Sequence, residues 1–157
     1  MDDTRLADFW AAARAAEPTL PETLPEAWAF GATVEQADEL LALVLDGTKT
    51  ATASALWDHE SAGESVPAIG EVGIVLDGED RPSAVIVTIA VDIVPFAEVS
   101  AEHAWDEGEG DRSLDFWRES HERFWRSHSE NAVGFRPDMP VVCERFRLVY
   151  PSAGAAS

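Results

Sequence analysis

The chain has 157 residues, 46% of them hydrophobic, and its 30 acidic against 11 basic residues give a net charge of −19. That length suffices for one domain with a real core, and the single Cys143 excludes an intrachain disulfide and any multi-cysteine metal site. The charge opposes non-specific attraction to phosphate backbones and anionic membranes, so any nucleic-acid contact must be local. No apolar run is long enough to span a bilayer, and the first residues lack the basic-then-apolar order of a signal peptide. A cytoplasmic protein with no membrane partner and no evident protein partner is expected.

In chain order, Leu6, Phe9, Trp10 and Ala13 recur at helical spacing and predict a helix over 3–16. Pro18, Pro21 and Pro25 then force an extended connector, with Trp28 and Phe30 as anchors. Thr33 and Gln36 form a capping box before a second helix, whose expected buried face is Val34, Ala37, Leu40, Leu41, Val44 and Leu45 and which Gly47 ends. Next comes Gly47-Thr48-Lys49-Thr50-Ala51-Thr52-Ala53-Ser54. In a strand its hydroxyls share one face and its alanines the other. Lys49 stands at the strand's mouth, either solvated beside a half-exposed strand or as part of a polar pocket.

Trp57 leads into a polar loop expected from Asp58 to Glu64, in which His59 reads as solvated. Residues 71–76 form a strand and 77–80 a hairpin turn. The β-branched run from Ala84 to Val94 predicts a long central strand that Pro95 breaks. Ser100 caps a short helix ending near Trp105. The loop Asp106-Glu107-Gly108-Glu109-Gly110-Asp111 follows, then a helix over 112–128 with Asp111 as its N-cap, a loop over 131–138 and a closing strand over 140–150. The mix of helices and strands, without regular alternation, predicts an α+β domain on a small mostly antiparallel β-barrel with flanking helices. Residues 1–27 pack on it as helix and connector, 28–150 form the domain, and 151–157 are an expected disordered tail.

The acidic loop admits three roles: a solvated helix cap, a Mg²⁺ or Mn²⁺ site, or a general acid or base at Glu107 or Glu109. Thr52 is a poor nucleophile unless a base takes its proton. Lys49 serves as that base only if its surroundings lower its pKa, and a charged Lys49 would instead stabilise a phosphate or an oxyanion. Trp57, Trp105 and Trp117 are candidate stacking surfaces, with core packing the commoner fate of Trp117. Arg112 and Arg145 are local cations for a phosphate, or surface ion pairs. His121 reads as packing or hydrogen bonding, and Cys143 as buried and inert.

The segments Ala37-Asp38-Glu39-Leu40-Leu41, Gly47 to Thr52, Val94-Pro95-Phe96, Asp106 to Leu114 and Val142 to Phe146 together resemble the ASCH family, a branch of the PUA-like barrels. The likeness is strongest to stand-alone bacterial ASCH proteins. The resemblance implies a PUA-like barrel whose cleft takes RNA, a nucleoside or a nucleotide. Some members look like metal-dependent ribonucleases, and smaller ones are amidohydrolases acting on N4-acetylcytidine. On that pattern Lys49, Thr52 and Glu107 are the expected catalytic residues. Ser54 stands where the smaller members carry an arginine. The first expectation is a hydrolase cleaving single-stranded RNA with a divalent metal (Mg²⁺ or Mn²⁺) on Glu107, Glu109 and Asp111. Thr50, Ser54, Trp57, Trp105, Arg112 and Arg145 would contact substrate. The alternatives are the deacetylating amidohydrolase and a non-catalytic RNA- or nucleotide-binding module.

Overall fold

Five strands form one mixed sheet in the order β1-β3-β4-β5-β2, in a computed structural model that describes residues 3–31, 33–128 and 133–151. The elements are α1 (Asp3–Ala16), β1 (Ala27–Ala29), α2 (Val34–Leu45), β2 (Ala51–Ala55), α3 (Leu56–Ala62), β3 (Val72–Leu76), β4 (Pro82–Pro95), α4 (Ala101–Glu107), α5 (Leu114–His128) and β5 (Pro140–Tyr150). A 3₁₀ turn, Phe96–Glu98, follows β4. The chain divides into two compact units: Met1–Thr48, Gly70–Val87 and Phe146–Ser157 in one, Lys49–Ile69 and Thr88–Arg145 in the other.

In the first unit, β3 and β4 pair antiparallel with Ile74 opposite Val85 and Val75 opposite Ala84. Alternation then sorts the strands onto two faces. Ile74, Leu76 and Val85 pack with Leu6, Trp10 and Ala13 of α1, while Val75, Ala84 and Ile86 pack with Leu41 and Val44 of α2. The Thr33 hydroxyl accepts from Gln36 N at 3.1 Å, as the capping box requires, and Gly47 takes φ +85° just past α2. The hairpin turn forms as expected, with Asp77 N donating to Arg81 O. One strand went unforeseen. Ala27–Ala29 pairs parallel with β3, and Gly73 leaves space that the Trp28 indole fills, since a Cβ there would lie 3.2 Å from Trp28 Nε1. Three residues carry too little alternation to announce a strand.

In the second unit, β2 and β5 pair antiparallel, Ala51 opposite Arg145 and Thr52 opposite Glu144. Ala55, Val141 and Cys143 join Phe96, Val99, Ala104, Trp117, Trp125 and Met139 in one core. Burial pushes the Cys143 thiol up to about 12, helped by the negative charges of Glu107 and Asp92, so it is inert as a nucleophile.

Three local expectations need correction. The segment expected as a polar loop from Asp58 is the helix α3, ended by Gly63 in the left-handed region. Its apolar side, with Trp57 packed against the core, is too short for periodicity to reveal. The helix from Ser100 runs on through Asp106 and Glu107 and ends at Gly108, φ +72°. Asp111 is not the cap of α5. Ser113 is, its hydroxyl accepting from Phe116 N at 3.1 Å, while Asp111 Oδ1 accepts from Ser113 N in a turn one step earlier. The loop expected over 131–138 is described from 133 onward, and the expected tail beyond Pro151 lies outside the described residues.

Candidate functional site

Lys49 is a buried ammonium. It sits between Gly47 and the start of β2, and its side chain is 1% exposed. Nζ donates to Ala51 O at 2.8 Å, to Glu109 Oε2 at 2.9 Å and to Glu107 O at 3.3 Å. An ammonium has three donors and no acceptor, and three acceptors surround this one. Glu107 Oε1 lies 3.6 Å from the same nitrogen.

Helix α4 delivers Glu107. The Ser100 hydroxyl caps the helix through His103 N, and the i, i+4 spacing puts His103 and Glu107 on its buried face. Both oxygens of the carboxylate are engaged. Oε2 accepts from His103 Nε2 at 2.5 Å and from Trp117 Nε1 at 2.6 Å. Oε1 faces Lys49 and, at 3.3 Å, His121 Nε2. The other His121 nitrogen, Nδ1, donates to Trp117 O at 2.8 Å. Trp117, His121 and Trp125 lie along one face of α5, with the His121 ring stacked on Trp117 at 4.2 Å.

These contacts set the charges. Burial alone would push the Glu107 carboxyl up. The positive charges of His121 and Lys49 and the His103 hydrogen bond outweigh it and hold the group well below the usual carboxylate range. Burial alone would lower His121, and the Glu107 carboxylate outweighs that, lifting the imidazole above its ordinary 6.5. Glu109 differs from Glu107 in access. Its side chain is 24% exposed and links the buried ammonium to the surface.

The structure brings together Lys49, Glu107 and Glu109 of the residues expected from sequence. It separates the others. Thr52 sits opposite Glu144, whose Oε2 accepts from the buried Thr88 hydroxyl at 2.6 Å. By strand alternation this is the side away from Ala51 and Ala53. Thr50 ties the head of β2 to α4, its amide donating to Asp106 O at 2.8 Å. Ser54 Oγ pairs with His59 Nε2 at 2.8 Å, so His59 is not the solvated side chain expected of it. Trp57 packs against the core. Trp105 is 55% exposed, with the Arg112 guanidinium 3.8 Å above its ring. Arg145 pairs with Glu102 at 2.7 Å and Asp106 at 3.2 Å. Asp111 is spent on its turn. His103, Trp117 and His121 are the members that sequence reasoning did not assign to this centre. The signal for them was present only in the i, i+4 pairs His103/Glu107 and Trp117/His121.

Residues 26–150 match the family model for the ASCH domain. The chain belongs to the ASCH domain family. This ASCH chain is similar to protein EF3133 from Enterococcus faecalis V583, with a TM-score of 0.83, 36% identity, and 93% of this chain and 88% of that one covered. It is equally similar in fold to an ASCH domain from Lactobacillus crispatus JV V101, with a TM-score of 0.83, 28% identity, and 94% and 96% covered. A third structure, the hypothetical protein PH0355, shares the fold at a TM-score of 0.52 and 15% identity, over 78% of this chain and 99% of that one. No curated protein matches. The α+β, PUA-like architecture of the ASCH family is thus the fold of this chain, and none of its helices among the described residues is long and apolar enough to cross a membrane.

The ASCH centre also contains the donor atoms a metal would need. Glu107, Glu109 and His121 each offer one within 4.8 Å of the others, whereas Asp111, expected as the third ligand, is replaced by His121. The space between the two carboxylates is taken by the Lys49 ammonium. A dication would have to displace it or sit beside a like charge in a poorly screened interior.

Proposed function

We propose that this ASCH protein is a hydrolase of RNA-derived nucleosides, working at Lys49 and Glu109 with Glu107 as the brace, and that it removes an acyl group from an exocyclic amide. The observation that carries this reading is the buried Lys49 ammonium bonded to a partly exposed carboxylate at 2.9 Å. A cation held in a poorly hydrated site is an effective partner for a developing oxyanion. The neighbouring Glu109 carboxylate accepts a proton from water.

The chemistry runs in two stages. Water attacks the amide carbonyl as Glu109 takes its proton, and the oxyanion replaces Glu109 as an acceptor from Lys49. The C–N bond then breaks, with the proton passing from Glu109 to the leaving amine. The products are the free amine and a carboxylic acid. Glu107 is held too acidic to serve as the base, and it acts by holding Lys49 in place. A net charge of −19 favours a neutral nucleoside over a polyanion.

The test is release of acetate from N4-acetylcytidine by the wild-type protein and by Glu109→Gln. The expected outcome is turnover by the wild type and a loss of roughly 10²-fold or more in kcat for the variant, the usual contribution of a positioned base. No release by the wild type overturns the reading. The donor set of Glu107, Glu109 and His121 favours a second reading, cleavage of single-stranded RNA with Mg²⁺ or Mn²⁺. RNA cleavage abolished by EDTA would select it. Binding of a nucleotide without turnover of either substrate would select the non-catalytic module.

A further inference from the structure

We propose that two copies of the ASCH chain pair through the open edge of β4, antiparallel and centred on Val91, as a two-fold symmetric dimer. Strand β3 pairs with β4 only over residues 82–87. Residues 88–95 still belong to the strand, and β5 lies along one side of them. There the Thr88 hydroxyl donates to Glu144 Oε2 at 2.6 Å, and Phe96 N donates to Met139 O at 2.8 Å. On the other side the neighbour in the sheet is β3, whose pairing stops at Val87. Among the described residues, no loop backbone bonds to residues 88–95 either. A strand edge left in this way presents a row of amides and carbonyls that a further strand can take.

The side chains on this edge select a second copy as the occupant. Ile89 and Ile93 are 50% and 48% exposed, with Val91 half-buried between them. Alternation puts all three on one face. Soluble proteins ordinarily blunt such an edge with lysine, proline or a bulge. Here a chain with 30 acids places a single charge, Asp92, in the stretch before Pro95. The order Ile-Ala-Val-Asp-Ile carries the same apolar pattern in both directions. Antiparallel pairing about Val91 sets Ile89 of one copy against Ile93 of the other, Val91 against Val91, and Asp92 against Ala90. Three β-branched pairs form, and no like charges stand directly opposite. A slip of one residue would turn one copy's isoleucines to the other face of the sheet. A slip of two would set an isoleucine against Pro95 or run into the part of β4 that β3 already holds. One register therefore serves both copies, as a patch facing itself across a two-fold axis requires.

The test is sedimentation equilibrium on the whole chain. The wild type is expected to pass from the 17.1 kDa monomer to twice that mass in the micromolar range. Association should tighten with salt, which screens the repulsion between two chains of charge −19. Val91→Lys brings two lysines face to face and should weaken the dimer at least about tenfold, with the circular dichroism unchanged. Ile89→Lys and Ile93→Glu, both at exposed positions, should each weaken it as well. Combined in one chain they should restore it, because each lysine then meets the glutamate of the other copy. The two positions lie about 13 Å apart along their own strand, too far to pair within one chain. Ile89→Lys with Ile93→Lys should not restore it. A wild type that stays monomeric throughout, a Val91→Lys variant that dimerises like the wild type, or a lysine–glutamate double variant as weak as its single parents overturns the proposal.

Discussion

The Lys49 ammonium and the Glu107 carboxylate face each other at 3.6 Å with both side chains 1% exposed, although 58 positions separate them in the chain. Burying this pair removes both charges from water. The arrangement is stable only because His103, Trp117, His121, Glu109 and two backbone carbonyls satisfy the remaining donors and acceptors. Removing one partner strands the charge of the other, so the two losses should not add. Lys49→Met and Glu107→Leu are each expected to lose about 3–5 kcal/mol of stability in urea, and the double variant less than the sum of the two. Additive losses would show that the two charges do not depend on each other.

Glu107 and His121 make stability depend on pH in two opposite ways. Glu107 is depressed below its reference of 4.5. Between its folded pKa and 4.5 the unfolded chain binds more protons, so this contribution is present above 4.5 and is lost as pH falls through the folded value. His121 is raised above 6.5. Its contribution is present below 6.5 and is lost as pH rises through the folded value. Urea unfolding across pH should give a maximum between about 4.5 and 6.5 from these groups, and His121→Gln should flatten the alkaline side. An alkaline side of equal slope in the variant would remove His121 from the account.

Metal binding tests what occupies the space between the carboxylates. With the Lys49 ammonium 2.9 Å from Glu109, wild-type protein should take up Mn²⁺ weakly, and EDTA should leave nucleoside hydrolysis unchanged. In Lys49→Met the donors of Glu107, Glu109 and His121 become free, and calorimetry should show Mn²⁺ affinity rising by at least about tenfold. Tight Mn²⁺ binding by the wild type would argue for the metal-assisted nuclease.

The turn between α4 and α5 sets where Glu109 points. Gly110 has φ +58°, and a Cβ there would enter the Phe116 ring. Gly110→Ala is expected to cost about 1–3 kcal/mol through backbone strain, with a further cost from the clash, and to lower activity by moving Glu109. Gly47→Ala is the control. It shares a positive φ of +85° but meets nothing within 4 Å, so it should cost only the backbone strain of about 1–2 kcal/mol, without the clash, and leave kcat unchanged. Equal effects on kcat would mean that the turn does not position the carboxylate.

Helix α4 carries both His103 and Glu107 and is only seven residues long. Its Ser100 cap bonds His103 N at 3.0 Å. Ser100→Ala should lose about 1 kcal/mol, and Ser100→Asp should restore it. Failure of the aspartate to restore stability would show that the serine acts through packing instead.

Much of this was legible in the residues alone. The stripe on α1, the capping box of Thr33, the left-handed Gly47, the hairpin at Asp77 and the β-branched run of β4 are local patterns, each fixed by backbone sterics or by one or two turns of periodicity. The ASCH resemblance rested on the order of such patterns, and it grouped Lys49, Thr52 and Glu107 as the expected catalytic residues. What the sequence left open was decided by packing. Whether Lys49 is solvated or buried depends on α4 lying over the head of β2, and no local pattern encodes that. Strand alternation put Thr52 on the face away from Ala51 and Ala53, and a start of α5 two residues later than expected took Asp111 out of the acidic cluster. His121 entered that cluster from a helix whose periodicity said only that it faces inward. Side-chain period is a property of neighbours in the chain. The charge state and company of a buried group are set by residues far along it, so only the tertiary structure fixes them.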